Sequence, residues 1–127
     1  GACGVQVGTC LLSTTECPIH ENYKQAVRNA RDTHITVMGR IAGTPVRVIK
    51  NDMVREYIAR EKEGATLMEL EHYTLGSLRR AVKEGDIETG SVMAGQTAAM
   101  IHDECSLVER IETLFTEYET VLKELCR

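Results

Sequence analysis

Aromatic residues are scarce in this chain: one Phe, four Tyr and no Trp among 127 residues. A core without large rings relies on Val, Ile, Leu, Met and Ala, so each apolar stripe has to be complete. No apolar run approaches the ~20 residues that span a bilayer, which excludes a transmembrane helix. No basic segment followed by a hydrophobic stretch opens the chain, so no signal peptide is expected. The opening also lacks an initiator Met and reads directly as strand, which predicts a truncated or processed chain. Cys3, Cys10, Cys17, Cys105 and Cys126 include no C-x-x-C pair. The seven-residue spacing of the first three fits neither a zinc site nor a disulfide framework, and reduced thiols of a cytoplasmic protein are expected.

Charge of one sign is also absent over any long stretch. The net charge is −4, with seven acids against three bases from Asp103 to Arg127 and nine bases against six acids from Glu21 to Glu63. No dense basic stripe suggests a nucleic-acid footprint. The basic bias around Arg28, Arg31, Arg40 and Arg55 suits an acidic partner or an ordinary solvated surface.

What is present is a regular series of short elements. Gly4–Thr9 reads as a buried strand ending in a Gly-Thr turn, with Val5 and Val7 on one face. Tyr23, Ala26, Val27 and Ala30 form one helical stripe after Pro18. Thr33–Met38 and Pro45–Ile49 read as extended segments with a turn between them. Helices follow over Asp52–Glu63, from the Thr66/Glu69 capping box, and over Leu75–Glu84. A small-residue segment, Gly90–Gln96, then leads into a helix through Ile101. Ser106 and Glu109 form a second capping box and start the longest helix. Along that helix Leu107, Ile111, Leu114, Tyr118, Val121 and Leu125 repeat at heptad-like spacing, widened by Val108, Phe115 and Leu122. The spacing permits a coiled-coil dimer, but so broad a stripe predicts packing on its own domain.

Two places could hold a ligand. Gly8-Thr9 after a strand can direct backbone N–H groups and a hydroxyl at a phosphate, although Gly-Thr also serves as a plain turn. In Ser91–Thr97, Met93, Ala94 and Gly95 let backbone approach a flat ligand and Gln96 can bond its polar edge; tight helix packing explains the same residues. His20, His34, His72 and His102 are scattered, without metal-ligand spacing or a triad pattern. No phosphate-binding Walker loop and no G-x-G-x-x-G occur.

Three blocks carry a family resemblance: Gly1–Thr9, Gly43–Asn51, and GSLRRAVKEGDIETGSVMAGQ from Gly76 to Gln96. Together with His20–Lys24 they resemble the closing third of FMN-dependent enoyl–acyl carrier protein reductases, whose superfamily includes the nitronate monooxygenases. The resemblance implies an α/β fold: the C-terminal part of a (β/α)8 TIM barrel, with its last strand, closing helices and a mostly helical insertion. Alone the chain would be mainly α with a few short strands. Residues 1–18 would be the last barrel strand and loop, 19–88 the insertion over the active site, and 89–127 the return to the barrel and the final helix. Gly8, Thr9, Met93, Ala94, Gly95 and Gln96 would contact FMN. Reduced nicotinamide, NADH or NADPH, would pass a hydride to FMN and on to an enoyl thioester carried on acyl carrier protein.

The resemblance places the family's catalytic His upstream of these residues, so no residue of this chain takes that role. It also implies that the upstream barrel is a partner; a homodimer, which the heptad spacing permits, is expected as well. Two rival readings stand beside it. One is a nitronate monooxygenase on the same scaffold. The other is a non-catalytic helical interaction module that uses the final helix as its binding face.

Overall fold

The computed structural model describes residues 2–126. Gly1, which opens the first block of the resemblance, and Arg127 lie outside the described residues. The centre of the molecule is an antiparallel hairpin of β1 (Ile35–Met38) and β2 (Val46–Ile49), with Ile35 opposite Ile49 and Met38 opposite Val46. Both strands are rich in β-branched residues, as pleated packing favours. The turn depends on Gly39, whose φ of +79° is a left-handed conformation. A Cβ there would sit 2.3 Å from the Thr44 carbonyl oxygen, so no other residue fits.

Successive side chains of a strand point to opposite faces, and the hairpin therefore divides two cores. On one face Ile35 and Ile49 pack with Tyr23, Val27 and Ala30 of α1 (Glu21–Arg28) and with Val92, Ala94, Ala98 and Ile101. On the other, Met38 and Val48 pack with Met53, Val54 and Tyr57 of α2 (Asp52–Lys62) and Leu70 of α3 (Leu67–Thr74). Val27 and Val48 are wholly buried, and each such side chain contributes about 1.5–3 kcal/mol. Asn51 caps α2 by accepting the Val54 N–H at 3.0 Å. Thr66 and Glu69 cap α3 reciprocally, as their spacing predicts. The expected helix over Leu75–Glu84 starts two residues later and is looser in its second half: α4 (Ser77–Arg79) continues as a π-helical turn over Arg80–Glu84. The segment after Gln96 is a 3-10 helix through Met100.

Two expectations are corrected. Residues 2–8 form no strand, Val5 is 86% exposed, and Thr9–Ser13 is a short 3-10 helix. An extended segment becomes a strand only by sharing backbone hydrogen bonds with a neighbour, and no described residue pairs with this one. The second correction concerns α5 (Leu107–Leu125). Its Ser106/Glu109 capping box forms as expected, yet no residue along it is buried. The stripe does not pack on its own domain: Phe115 is 67% exposed and Leu125 79%. Only its first turn is anchored, where Glu16 accepts the Leu107 N–H and Arg110 reaches Asp103, both at 2.8 Å. Among the described residues, no helix is long and apolar enough to cross a membrane.

Candidate functional site

The small-residue segment after Gly90 runs along β2 like a third strand. Ile49 donates its N–H to the Val92 carbonyl at 2.9 Å, Ala94 donates to the Arg47 carbonyl at 3.3 Å, and Met93 bridges Val48 in antiparallel fashion. Pleating sends Val92 and Ala94 into the core beneath α1 and turns Met93 to the opposite face, against the α2 and α3 core. Gly95 and Gln96 emerge at the end of this ribbon, Gln96 exposed.

There the two expected ligand segments meet. Gly95 donates its backbone N–H to Thr9 Oγ1 at 2.8 Å. A hydroxyl that accepts in this way still has its own proton to donate. Gly8, next to Thr9, is exposed and has nothing within 4 Å of where a Cβ would lie. Gly8, Thr9, Gly95 and Gln96 thus share one edge of the molecule, with Ala94 buried behind it and Met93 on the far face. Small residues, open backbone and a free hydroxyl proton leave room and donors at this edge for an anionic or planar ligand.

Residues not singled out from the sequence hold this edge in place. The Tyr23 hydroxyl of α1 donates to the Met93 carbonyl at 2.7 Å. Burial pushes its phenol up to about 12. Lys24, almost fully buried, donates to the Thr14 carbonyl at 2.7 Å and lies 3.7 Å from Glu104. It fixes the loop that follows Thr9. Asn51 donates to the Ile87 and Gly90 carbonyls at 2.8 and 2.7 Å, setting where the ribbon begins. Gly90 is required there: a Cβ would meet the Asp86 carbonyl oxygen at 2.3 Å and the Ala81 nitrogen at 2.7 Å. An Asn before a helix is a readable cap signal, but its second role depends on residues 36–39 positions away.

The histidines are structural or exposed. His20 caps α1 by accepting the Asn22 N–H at 3.1 Å, His34 accepts the Arg31 N–H at 3.3 Å, and His72 lies exposed on α3. His102 lies 3.4 Å from the Arg28 carbonyl. The basic patch is also reduced. Arg28 is largely buried between Glu21 and Glu104, and Arg55 is paired with Asp52, which leaves Arg31 and Arg40.

Residues 1–117 match the family described as nitronate monooxygenase. The chain belongs to this family. Two proteins named probable nitronate monooxygenase are similar to it. That of Staphylococcus saprophyticus is 26% identical over 101 residues, covering 80% of this chain and 28% of its own length. That of Staphylococcus haemolyticus is 28% identical over 123 residues, covering 91% and 34%. Among solved structures, FabK from Thermotoga maritima superposes with a TM-score of 0.87 at 34% identity, covering 93% of this chain and 37% of that one. A nitroalkane oxidase from Streptomyces ansochromogenes gives 0.75 at 25% identity, covering 94% and 34%.

The chain spans about a third of the length of these relatives. Its fold is that of the C-terminal part of a (β/α)8-barrel member of the nitronate monooxygenase family. The family is one of flavin-dependent oxidoreductases.

Proposed function

We propose that the full-length protein is an FMN-dependent enoyl–acyl carrier protein reductase and that this chain supplies one wall of its flavin site. The observation that carries the reading is the Gly95 N–H bonded to Thr9 Oγ1, which joins two separated ligand segments into one edge. The 34% identity to FabK, an enoyl reductase, supports the reductase branch.

In this reading Gly8 and Thr9 hold the phosphate of FMN, the Thr9 hydroxyl donating to it, while Gly95 and Gln96 border the ring system. Tyr23, through the Met93 carbonyl, keeps the Met93–Gln96 backbone from shifting when the cofactor binds. FMN, when bound, supplies the hydride chemistry between reduced nicotinamide and the enoyl thioester, and the protein positions it. Residues 19–88 form the cover over the site, and Arg31 and Arg40 give it a basic surface for an acidic carrier protein. Val5, Val7 and the apolar face of α5 dock on the preceding barrel, where the extended segment gains the strand partners it lacks.

The names of the two staphylococcal relatives favour a second reading, a nitronate monooxygenase. The two reactions separate cleanly in the full-length protein. The proposal expects NADH or NADPH consumption that depends on a crotonyl thioester of acyl carrier protein. Oxygen uptake with an alkyl nitronate, and no thioester-dependent oxidation, would establish the second reading instead.

A further inference from the structure

A cavity of about 250 Å³ opens between the hairpin, α3 and α4, on the side of the ribbon that Met93 faces. Met38, Val46 and Met93 contribute apolar walls, and Leu67 and Leu78 stand at it while 44% and 42% exposed. Leu75, beside the lining residue Gly76, is 75% exposed. Thr44, Tyr57, Thr74, Ser77 and Ser91 also stand in the lining, but the Ser77 and Ser91 hydroxyls bond each other and most of the lining surface is apolar, which suits a hydrocarbon entering over exposed leucines. An apolar cavity of about 150 Å³ holds benzene, so this one has room for about ten carbon atoms.

The charge of the lining narrows the ligand further. Among the described residues that line it, none is Lys, Arg or His, and the one ionisable carboxylate is Glu71. A carboxylate head group or a nucleotide phosphate placed here would meet the like charge of Glu71 and no cation to offset it. The ligand class is therefore an uncharged chain. Burial, and then the nearby Glu61, hold the Tyr57 phenol above its ordinary range, so this wall adds no further charge at neutral pH.

We infer that this cavity receives the aliphatic tail of the acyl thioester, and that Leu67 and Leu78 set the chain length accepted. The inference deepens the reductase reading and rests on it for the identity of the substrate. Met93 links the two places: its carbonyl is held by Tyr23 within the flavin-edge ribbon, and its side chain lines the cavity. Filling the mouth shortens the chains accepted and leaves short ones unaffected.

The test uses the full-length flavoprotein with Leu67→Trp, Leu78→Trp and, as a control, Met68→Trp, the sequence neighbour of Leu67 that does not line the cavity. Methyl cis-parinarate, an uncharged fluorescent chain longer than the cavity, seats its methyl end there while its ester end leaves through the mouth, and so reports binding directly. The ratio of kcat/KM for dodecenoyl over crotonyl thioester reports chain selection. Both leucine variants should weaken parinarate binding and lower the ratio by about tenfold or more, the effect of two methylenes left unburied. Met68→Trp should change neither. Parinarate binding unchanged in both leucine variants, with the flavin spectrum intact, or no binding by the wild-type protein, would overturn the inference. If the wild type binds parinarate, Leu78→Trp abolishes it and no thioester is reduced, the cavity assignment stands and the reductase reading fails.

Discussion

Gly95 and Thr9, separated by 86 residues in sequence, are joined by a single 2.8 Å hydrogen bond from the glycine N–H to the threonine hydroxyl. That bond makes one edge out of two segments that carry little meaning apart. Thr9→Val keeps the shape but removes the acceptor, which leaves a half-buried N–H without a partner. The cost is about 1–3 kcal/mol. FMN affinity, measured by quenching of flavin fluorescence, should fall by tenfold or more in Thr9→Val and be largely retained in Thr9→Ser. Equal affinity in wild type and Thr9→Val would mean that the edge does not hold the cofactor.

Gly8 and Gly90 should respond to alanine in opposite ways. At Gly90 the new Cβ meets backbone atoms at 2.3 and 2.7 Å that cannot yield cheaply. Overpacking of this kind costs about 1–3 kcal/mol or more, visible as a lowered Tm. At Gly8 the Cβ enters open space, so Tm should hold while FMN affinity falls, because backbone could no longer approach the phosphate. A Gly8→Ala protein with normal FMN affinity would remove Gly8 from the site.

Tyr23 provides a pH signature. Its folded-state pKa, raised by burial from 10.0 to about 12, exceeds that of the unfolded chain. The stability it contributes is therefore complete below about pH 10 and is lost as pH rises toward 12. Denaturant midpoints for the wild type should decline through that window. Tyr23→Phe should flatten that part of the decline and lower stability by about 1 kcal/mol at neutral pH, the hydrogen bond to Met93 being gone. A midpoint curve identical in shape for both proteins would contradict the buried, neutral phenol.

The exposed stripe of α5 predicts a covered surface in the full-length protein. Phe115→Asp places a charge on that face, and a buried charge without a partner costs several kcal/mol. The full-length variant should lose several degrees of Tm and bound flavin together. A full-length Phe115→Asp protein as stable as wild type would show that the face remains open to solvent.

Local signals were legible and long-range ones were not. Both capping boxes, Thr66/Glu69 and Ser106/Glu109, lie within one helical turn, so spacing alone specified them. The α1 stripe followed from a period of 3.6, and the two extended segments of the hairpin from the Gly and Pro turn signals between them. Lys24 reads as a solvated lysine until the Thr14 carbonyl is folded against it, and Tyr23 as plain core until its hydroxyl finds Met93. The Gly4–Thr9 strand and the packed α5 share a different cause. Each pattern anticipates a neighbouring surface, and pattern cannot say whether that surface lies within these residues. Gly8, Thr9, Met93, Ala94, Gly95 and Gln96 are nameable as candidates from sequence, but only the fold shows that Gly8, Thr9, Gly95 and Gln96 share one edge while Met93 faces away and Ala94 is buried.

The most direct test of the central claim is an anaerobic half-reaction. The full-length protein is reduced with one equivalent of NADPH or NADH and then mixed with crotonyl thioester of acyl carrier protein in the absence of oxygen. In an enoyl reductase the bleached visible absorbance of the flavin returns at a rate that depends on thioester concentration. Absorbance that stays bleached with the thioester and returns only when oxygen is admitted would contradict the reductase reading.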